Sequence, residues 1–576
     1  MADKSTVKTN GPKPEHTIFI CLGGTGTQIG TAIEKVYPFL PEAGMIHPKS
    51  TYTLFIMDKD TGHNYAHCTD IAKKYGEFSR YLPFDKCEIP YELKGNLYTE
   101  LQAKAGWAGK DYTVRELIGT DAPMEELASM CWNEAKRGES LKDGNNRDPS
   151  RGSLDAYAFL EHFEKSALFT VLEEAVTGET PDSYRLVILS GLTGGMGASL
   201  IVPLVRKIKT YEKKEDNNTK LKLFEKLRID LVLLGPYFKI PPNPNKENKV
   251  DEIGDTLDSH YRVKEQLKEL KEDLISKFPE DEWIVYYSAV PVPCASTCGP
   301  FSKNGAERRK THLLELMAAL AAFQLRYQGP GFYGTEGELP EDVQQKDHAA
   351  YKVEWQHLPF SQNPISNNNN NLKKAVENFM SLFSIMVCQL YPRFYSGNDK
   401  VKQKNAAYIK KDVYLNKYLK EYRKNNGGNK VMDKIERLYS LIDKWLEQAR
   451  PYFEFWNEIQ TYSALNKEGS IYIDFLPKDG MEKLVSYFGK DKKSALSAWR
   501  YKDTKNRDHG NKKNYIPINI MPLCKDKKTW MNCVDGIKPK NSELKAALRE
   551  DIEGESSDKL LLALMMKDMY RVIKEA

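Results

Sequence analysis

The chain has 576 residues, 40% hydrophobic and 29% charged, a globular balance with length for roughly three to four domains. Its 85 basic and 80 acidic residues leave a net charge of +5, which argues against a global pull toward nucleic acid or membrane surfaces. The polar start, the lack of an apolar run of membrane-spanning length, and nine cysteines without zinc-like or dense spacing predict a cytoplasmic protein with reduced thiols, no metal-ligand cluster and no membrane partner.

Residues 1–15 are polar and expected to be disordered. An apolar run at 17–22 predicts a first strand, followed by a glycine-rich loop and a helix over 29–39. A second strand is predicted at 52–57, ending on Asp58-Lys59-Asp60. Residues 64–152 are polar and irregular, with Trp107 and Trp132 in short helical patches, and read as an insertion. The apolar spacing of Leu154, Tyr157, Leu160, Phe163, Leu168, Val171 and Leu172 predicts one amphipathic helix over 154–176. A strand at 186–189, a second glycine-rich loop, a helix at 199–209 and a continuous apolar strand at 229–234 follow. Apolar strands alternating with helices predict an α/β fold, a mostly parallel sheet with helices on both faces.

A helix over 255–271, a strand over 283–290 and a very apolar helix over 311–327 complete the predicted α/β domain, residues 16–330. Residues 331–371 read as a linker that ends in the asparagine run 367–371. Beyond it, 372–576 reads as a mainly helical domain. Val431, Ile435, Leu438, Ile442 and Trp445 share one helical face, and 558–574 predicts a final helix. Strand-like pieces occur at 471–475 and 515–521. Lysine- and tyrosine-rich stretches at 400–430 and 500–513 are interrupted by acids such as Asp399, Asp412 and Glu421, so a solvated face is favoured over nucleic-acid binding.

The two glycine loops carry the functional signal. The first contains Gly23, Gly24, Thr25, Gly26, Thr27 and Gln28; the second contains Gly191, Thr193, Gly194, Gly195, Met196 and Gly197. Glycine lets main-chain N–H groups approach phosphate oxygens, and the following helix points its positive end at the charge. Two such loops, each between a strand and a helix, predict two backbone cradles converging on one polyanion. There is no G-x-x-x-x-G-K-[ST], so a Walker-type loop is absent. A dinucleotide-binding alternative uses Gly24, Gly26 and Gly30 with Asp58 for a ribose hydroxyl, but it leaves the second loop without a role.

The pattern resembles the tubulin/FtsZ superfamily, and most of all its divergent bacterial tubulin-like members. Gly195-Met196-Gly197 matches the closing glycines of the family's phosphate loop, while Leu192, Thr193 and Gly194 depart from its spelling. Leu234-Gly235-Pro236-Tyr237-Phe238 looks like the strand before the sugar-binding loop, and His312 to Ala321 looks like the alanine-rich helix of the bacterial group. The resemblance covers residues 16–330. It implies GTP or GDP with Mg2+ as ligand, with Asp58 and Asp60 toward base and ribose, Tyr237 and Phe238 beside the sugar, and His260 and Tyr261 as candidates near the base. It further implies self-assembly, with hydrolysis completed from the next subunit by Glu307 and Asn304, although the family's N-x-D spacing is not reproduced. Three alternatives stay open: an assembling GTPase, a non-hydrolysing nucleotide-binding scaffold or sensor with a protein partner on its helical half, and an NAD(P)-binding oxidoreductase.

Overall fold

A computed structural model describes residues 14–59, 91–119, 122–141, 149–178, 184–192, 195–214, 220–225, 227–235, 283–287, 313–324, 335–336, 349–352 and 555–575, with scattered positions elsewhere between 68 and 455. The strands are β1 (His16–Leu22), β2 (Thr51–Met57), β3 (Tyr91–Asn96), β4 (Tyr184–Gly191), β5 (Ile229–Leu234), β6 (Trp283–Tyr287), β7 (Thr335–Glu336) and β8 (Ala349–Lys352). They make one sheet in the order β3-β2-β1-β4-β5-β6-β8-β7, parallel throughout except for β7 against β8. Consecutive residues of β1, β2, β4 and β5 are buried almost without break, because both faces of a parallel sheet are covered.

Among the helices of this unit are α1 (Gly23–Val36), α2 (Leu97–Lys104), α3 (Pro149–Leu160), α4 (Ala167–Thr177), α5 (Gly197–Lys209) and α6 (Leu313–Gln324), with a further helix at Ala122–Cys131 and shorter helical segments between some of them. Alternate strand residues feed two separate layers. Ile18, Ile20 and Leu22 of β1, with Leu186 and Ile188 of β4, pack into one core with Leu101 of α2, Phe159 of α3, Leu172 of α4 and Leu204 of α5. Phe19, on the opposite face, meets Phe323 of α6 at a ring distance of 5.2 Å, and Tyr37 meets Tyr52 at 4.4 Å. On that second face Arg185 and Asp230 form a fully buried ion pair, and the guanidinium also donates to the Ala322 carbonyl at 2.9 Å.

Four sequence expectations change. Helix α1 begins at Gly23 rather than near Ile29, so the first glycine loop is itself the opening turn of the helix. The helix then tightens at Tyr37–Phe39, where Pro38 lacks the N–H that an α-helix needs. The single helix expected over 154–176 is two, α3 and α4. Phe163–Lys165 forms a tight turn between them, and the Ser166 hydroxyl accepts the Phe169 N–H at 3.1 Å to restart the helix. The stretch read as an insertion contributes β3 and α2 to the sheet layer, and residues 335–352, inside the expected linker, contribute β7 and β8.

The chain divides into two compact units, the first comprising 1–37, 44–73 and 88–358, the second 38–43, 74–87 and 359–576. In the second, α7 (Glu555–Glu575) buries Leu561, Leu562, Met565 and Met566, and its Asp558 pairs with Lys434 and with Arg437, the latter at 2.6 Å. Leu438, Ile442 and Trp445 are helical and buried there. Val431, Ile435 and the strand-like pieces at 471–475 and 515–521 lie outside the described residues. Among the described residues, no helix is long and apolar enough to cross a membrane. Cys21 and Cys68 are free and buried, and burial pushes both thiols well above their ordinary range, so they serve as neutral packing groups.

Candidate functional site

Strands β1 and β4 are neighbours at the centre of the sheet, and the chain order reverses between them. In open parallel sheets the crevice beyond the carboxyl ends at such a switch point is where ligands bind. Both glycine loops leave the sheet there. β1 passes straight through Leu22 into α1. β4 passes through Gly191 and Leu192, then Gly195-Met196, into α5. Neither helix has a side-chain hydrogen bond at its N-cap or an acidic residue in its first turn. Two positive helix ends therefore start side by side with no carboxylate of their own to offset them.

The loops touch backbone to backbone. Gly23 has φ +64°, and a Cβ there would sit 2.8 Å from the Gly197 nitrogen. A Cβ on Gly197 would sit 2.8 Å from the Leu22 carbonyl oxygen and 2.7 Å from the Ser190 Oγ. Gly191 lies against the Thr25 hydroxyl, and Gly26 against the Leu189 carbonyl. At Gly23 and Gly197, then, the opposite loop takes up space that a side chain would need. Thr27 and Gln28 are buried in the helix, Thr27 donating to the Gly23 carbonyl at 2.9 Å. Gly24 and Thr25 form the partly exposed corner.

Asp58 follows β2 at the same edge and is buried. Its carbonyl accepts the Asn96 Nδ2 at 2.6 Å, and its N–H donates to Asn96 Oδ1 at 3.4 Å. Asp60, Thr193, Gly194, Tyr237, Phe238, His260, Tyr261, Asn304 and Glu307 lie outside the described residues. Among the described residues, no group of three or more His, Cys, Asp or Glu is arranged to hold a metal ion. At the opposite, amino-terminal edge, Glu15, Tyr37, His47, Ser50 and Phe323 line a small pocket, well separated along β1 from the loops.

Sequence reasoning passed over a buried polar cluster beside the second loop. Lys59 Nζ donates to Asp155 Oδ2 at 2.9 Å, both side chains almost fully buried. The Tyr98 Oη donates to the same carboxylate at 3.3 Å and the Tyr112 Oη at 3.1 Å, and the two phenols touch each other. The Lys59 ammonium stands 4.6 Å from the centre of the Tyr112 ring. Burial pushes the Asp155 carboxyl up and the Lys59 ammonium down, each opposed by the partner's charge, with Asp111 and Arg151 as further charges near Lys59. Burial also raises both tyrosines above their ordinary range. The one signal available in the sequence was Asp155 itself, an acid flanked by Leu154 and Ala156 in an apolar helical stretch.

No protein-family model matches the chain, and no curated protein matches it.

Proposed function

We propose that the chain is a tubulin-like nucleotide-binding protein that takes GTP or GDP at the paired glycine turns and assembles with copies of itself. One observation carries the ligand class. Two uncapped helix starts meet backbone to backbone at the switch point of a parallel sheet, an arrangement that favours a polyanion over a neutral ligand. The residues fit a phosphate group in charge and in access, since Gly24 and Thr25 keep the corner partly open. The choice of guanine nucleotide, the Mg2+ carried with its phosphates, and the mainly helical C-terminal domain over 372–576 rest on the resemblance and the sequence pattern. An NAD(P)-binding function is the second proposal, favoured by Asp58 at the end of β2 in a sheet whose order begins 3-2-1-4.

Thermal unfolding with GTP, ATP and NADPH separates these. A ligand at a hundred times its Kd adds about 2.7 kcal/mol to the folded state. For a unit as large as this one that raises Tm by about 4 °C. GTP is expected to give that shift and NADPH none; the reverse result selects the dinucleotide function.

Assembly has its own readout. With Glu307 and Asn304 acting on the nucleotide of the next subunit, phosphate release per protein molecule rises with protein concentration, and Glu307→Ala binds GTP without turnover. Flat specific activity contradicts the shared site, and GTP binding with no release at any concentration selects the scaffold or sensor.

A variant that keeps the fold tests the phosphate corner. Thr25→Asp places a negative charge in the partly exposed first turn of α1, which on helix electrostatics adds about 0.3–1 kcal/mol of stability. The same charge repels a bound phosphate, so GTP affinity is expected to fall about tenfold or more. Unchanged affinity in this variant removes the corner from the site.

A further inference from the structure

Helix α3 meets the site region at two points less than one turn apart. At Gly152 its bare backbone lies against the Gly195 carbonyl and Ser199, with the Ser199 Cβ 3.0 Å from where a Cβ on Gly152 would sit. The Ser199 hydroxyl donates to that same Gly195 carbonyl at 2.5 Å, at the turn into α5. Three residues on, and therefore on the same helical face, Asp155 reaches Lys59 at the end of β2. Its carboxylate is fully buried and accepts from three donors on three separate segments, Lys59, Tyr98 and Tyr112. A carboxylate gripped from three directions sets the height and rotation of its helix, and with them the surface that Gly152 presents to the second glycine turn.

We infer that Asp155 is a positioning residue for the second glycine turn. Held by Lys59, Tyr98 and Tyr112, it seats Gly152 against Gly195 and so fixes where the amino-terminal end of α5 stands relative to Gly23. The inference rests on the nucleotide proposal only for what the turn holds, because the positioning itself is a property of the ligand-free chain. Simple loss of stability would loosen the whole unit. Loss of positioning loosens this turn first.

The test uses full-length protein and hydrogen exchange in two peptides, residues 195–202 and, as internal reference, the β4 residues 184–190. Asp155→Asn removes the charge at nearly constant volume and is expected to speed exchange over 195–202 about tenfold relative to the reference. The Tyr98→Phe/Tyr112→Phe double variant keeps the ion pair and is expected to give a smaller change of the same kind, which preserves the test if Asp155→Asn does not fold. Asp230→Asn, an equally buried carboxylate that holds Arg185 inside the reference peptide, is expected to speed the reference and so to lower the ratio rather than raise it. Parallel acceleration of both peptides in the Asp155 and tyrosine variants overturns the inference. GTP titration of the same samples distinguishes the two proposals. With nucleotide bound at the turn, Asp155→Asn weakens GTP about tenfold. A wild-type chain that binds no nucleotide while the turn still loosens in Asp155→Asn overturns the nucleotide proposal and leaves the positioning role standing.

Discussion

Gly197→Val is expected to lower Tm of the α/β unit by about 4 °C even with no ligand present. A Cβ at this position meets the Leu22 carbonyl oxygen at 2.8 Å and the Ser190 Oγ at 2.7 Å, neither of them the far end of a flexible chain. Overpacking of this kind costs about 1–3 kcal/mol, and valine's two further methyls put the cost at the top of that range. At about 1.4 °C per kcal/mol for a unit as large as this one, the stated drop in Tm follows. Gly23→Val is expected to cost more, because its φ of +64° adds left-handed strain to a contact 2.8 Å from the Gly197 nitrogen. Differential scanning calorimetry on ligand-free protein checks both. A Gly197→Val chain with wild-type Tm and lost GTP binding would mean that the glycine serves the ligand directly rather than the contact between the loops.

This bears on how much the sequence discloses. The strands β1, β2, β4 and β5 were legible because a strand buried on both faces needs a nearly continuous apolar run, and HTIFICL, TYTLFIM, YRLVILSG and IDLVLL each supply one. The glycine turns were legible as turns. That Gly23 and Gly197 serve each other was not, since the two open different helices and only the register of β1 against β4 brings them together. Edge strand β3, YELKGN, has too few apolar residues to stand out, and as an edge it pairs only with β2. The start of α1 at Gly23 goes against local propensity, because three glycines in four residues disfavour a helix that packing on the sheet nevertheless imposes. Lys59 and Asp155 are 96 residues apart, and no local pattern links them.

The second large effect lies in that pair. Lys59→Met is expected to destabilise the unit by about 3–5 kcal/mol, because it strands a carboxylate that has no access to water. The double variant Lys59→Met/Asp155→Leu is expected to regain most of that loss, since taking both charges out of a buried site removes their desolvation cost as well. The two phenols that face Asp155 already touch each other in the wild-type chain.

The pH dependence has a definite sign. Asp155 is raised by burial, so its contribution to stability is present below the ordinary carboxylate range and is lost as pH rises through its raised value. Lys59 is lowered by burial, so its charge opposes folding until pH rises past its lowered value toward the ordinary ammonium range. Between those two values both groups carry their full desolvation cost. The stability gap between wild type and double variant is therefore expected to change most in the double variant's favour near neutral pH and to shift back toward acid and alkali. Urea unfolding at several pH values reads it. A gap that shifts the other way would show that the mutual attraction outweighs burial.

The central claim is that the two glycine turns form one binding site. Hydrogen exchange in wild-type protein, with and without saturating GTP and Mg2+, follows residues 22–28 and 195–202 in the same sample. The account predicts that both segments slow together at the same GTP concentration, while the β1 and β4 residues behind them change little. Slowing in only one segment, or in neither while NADPH slows the first, would contradict it.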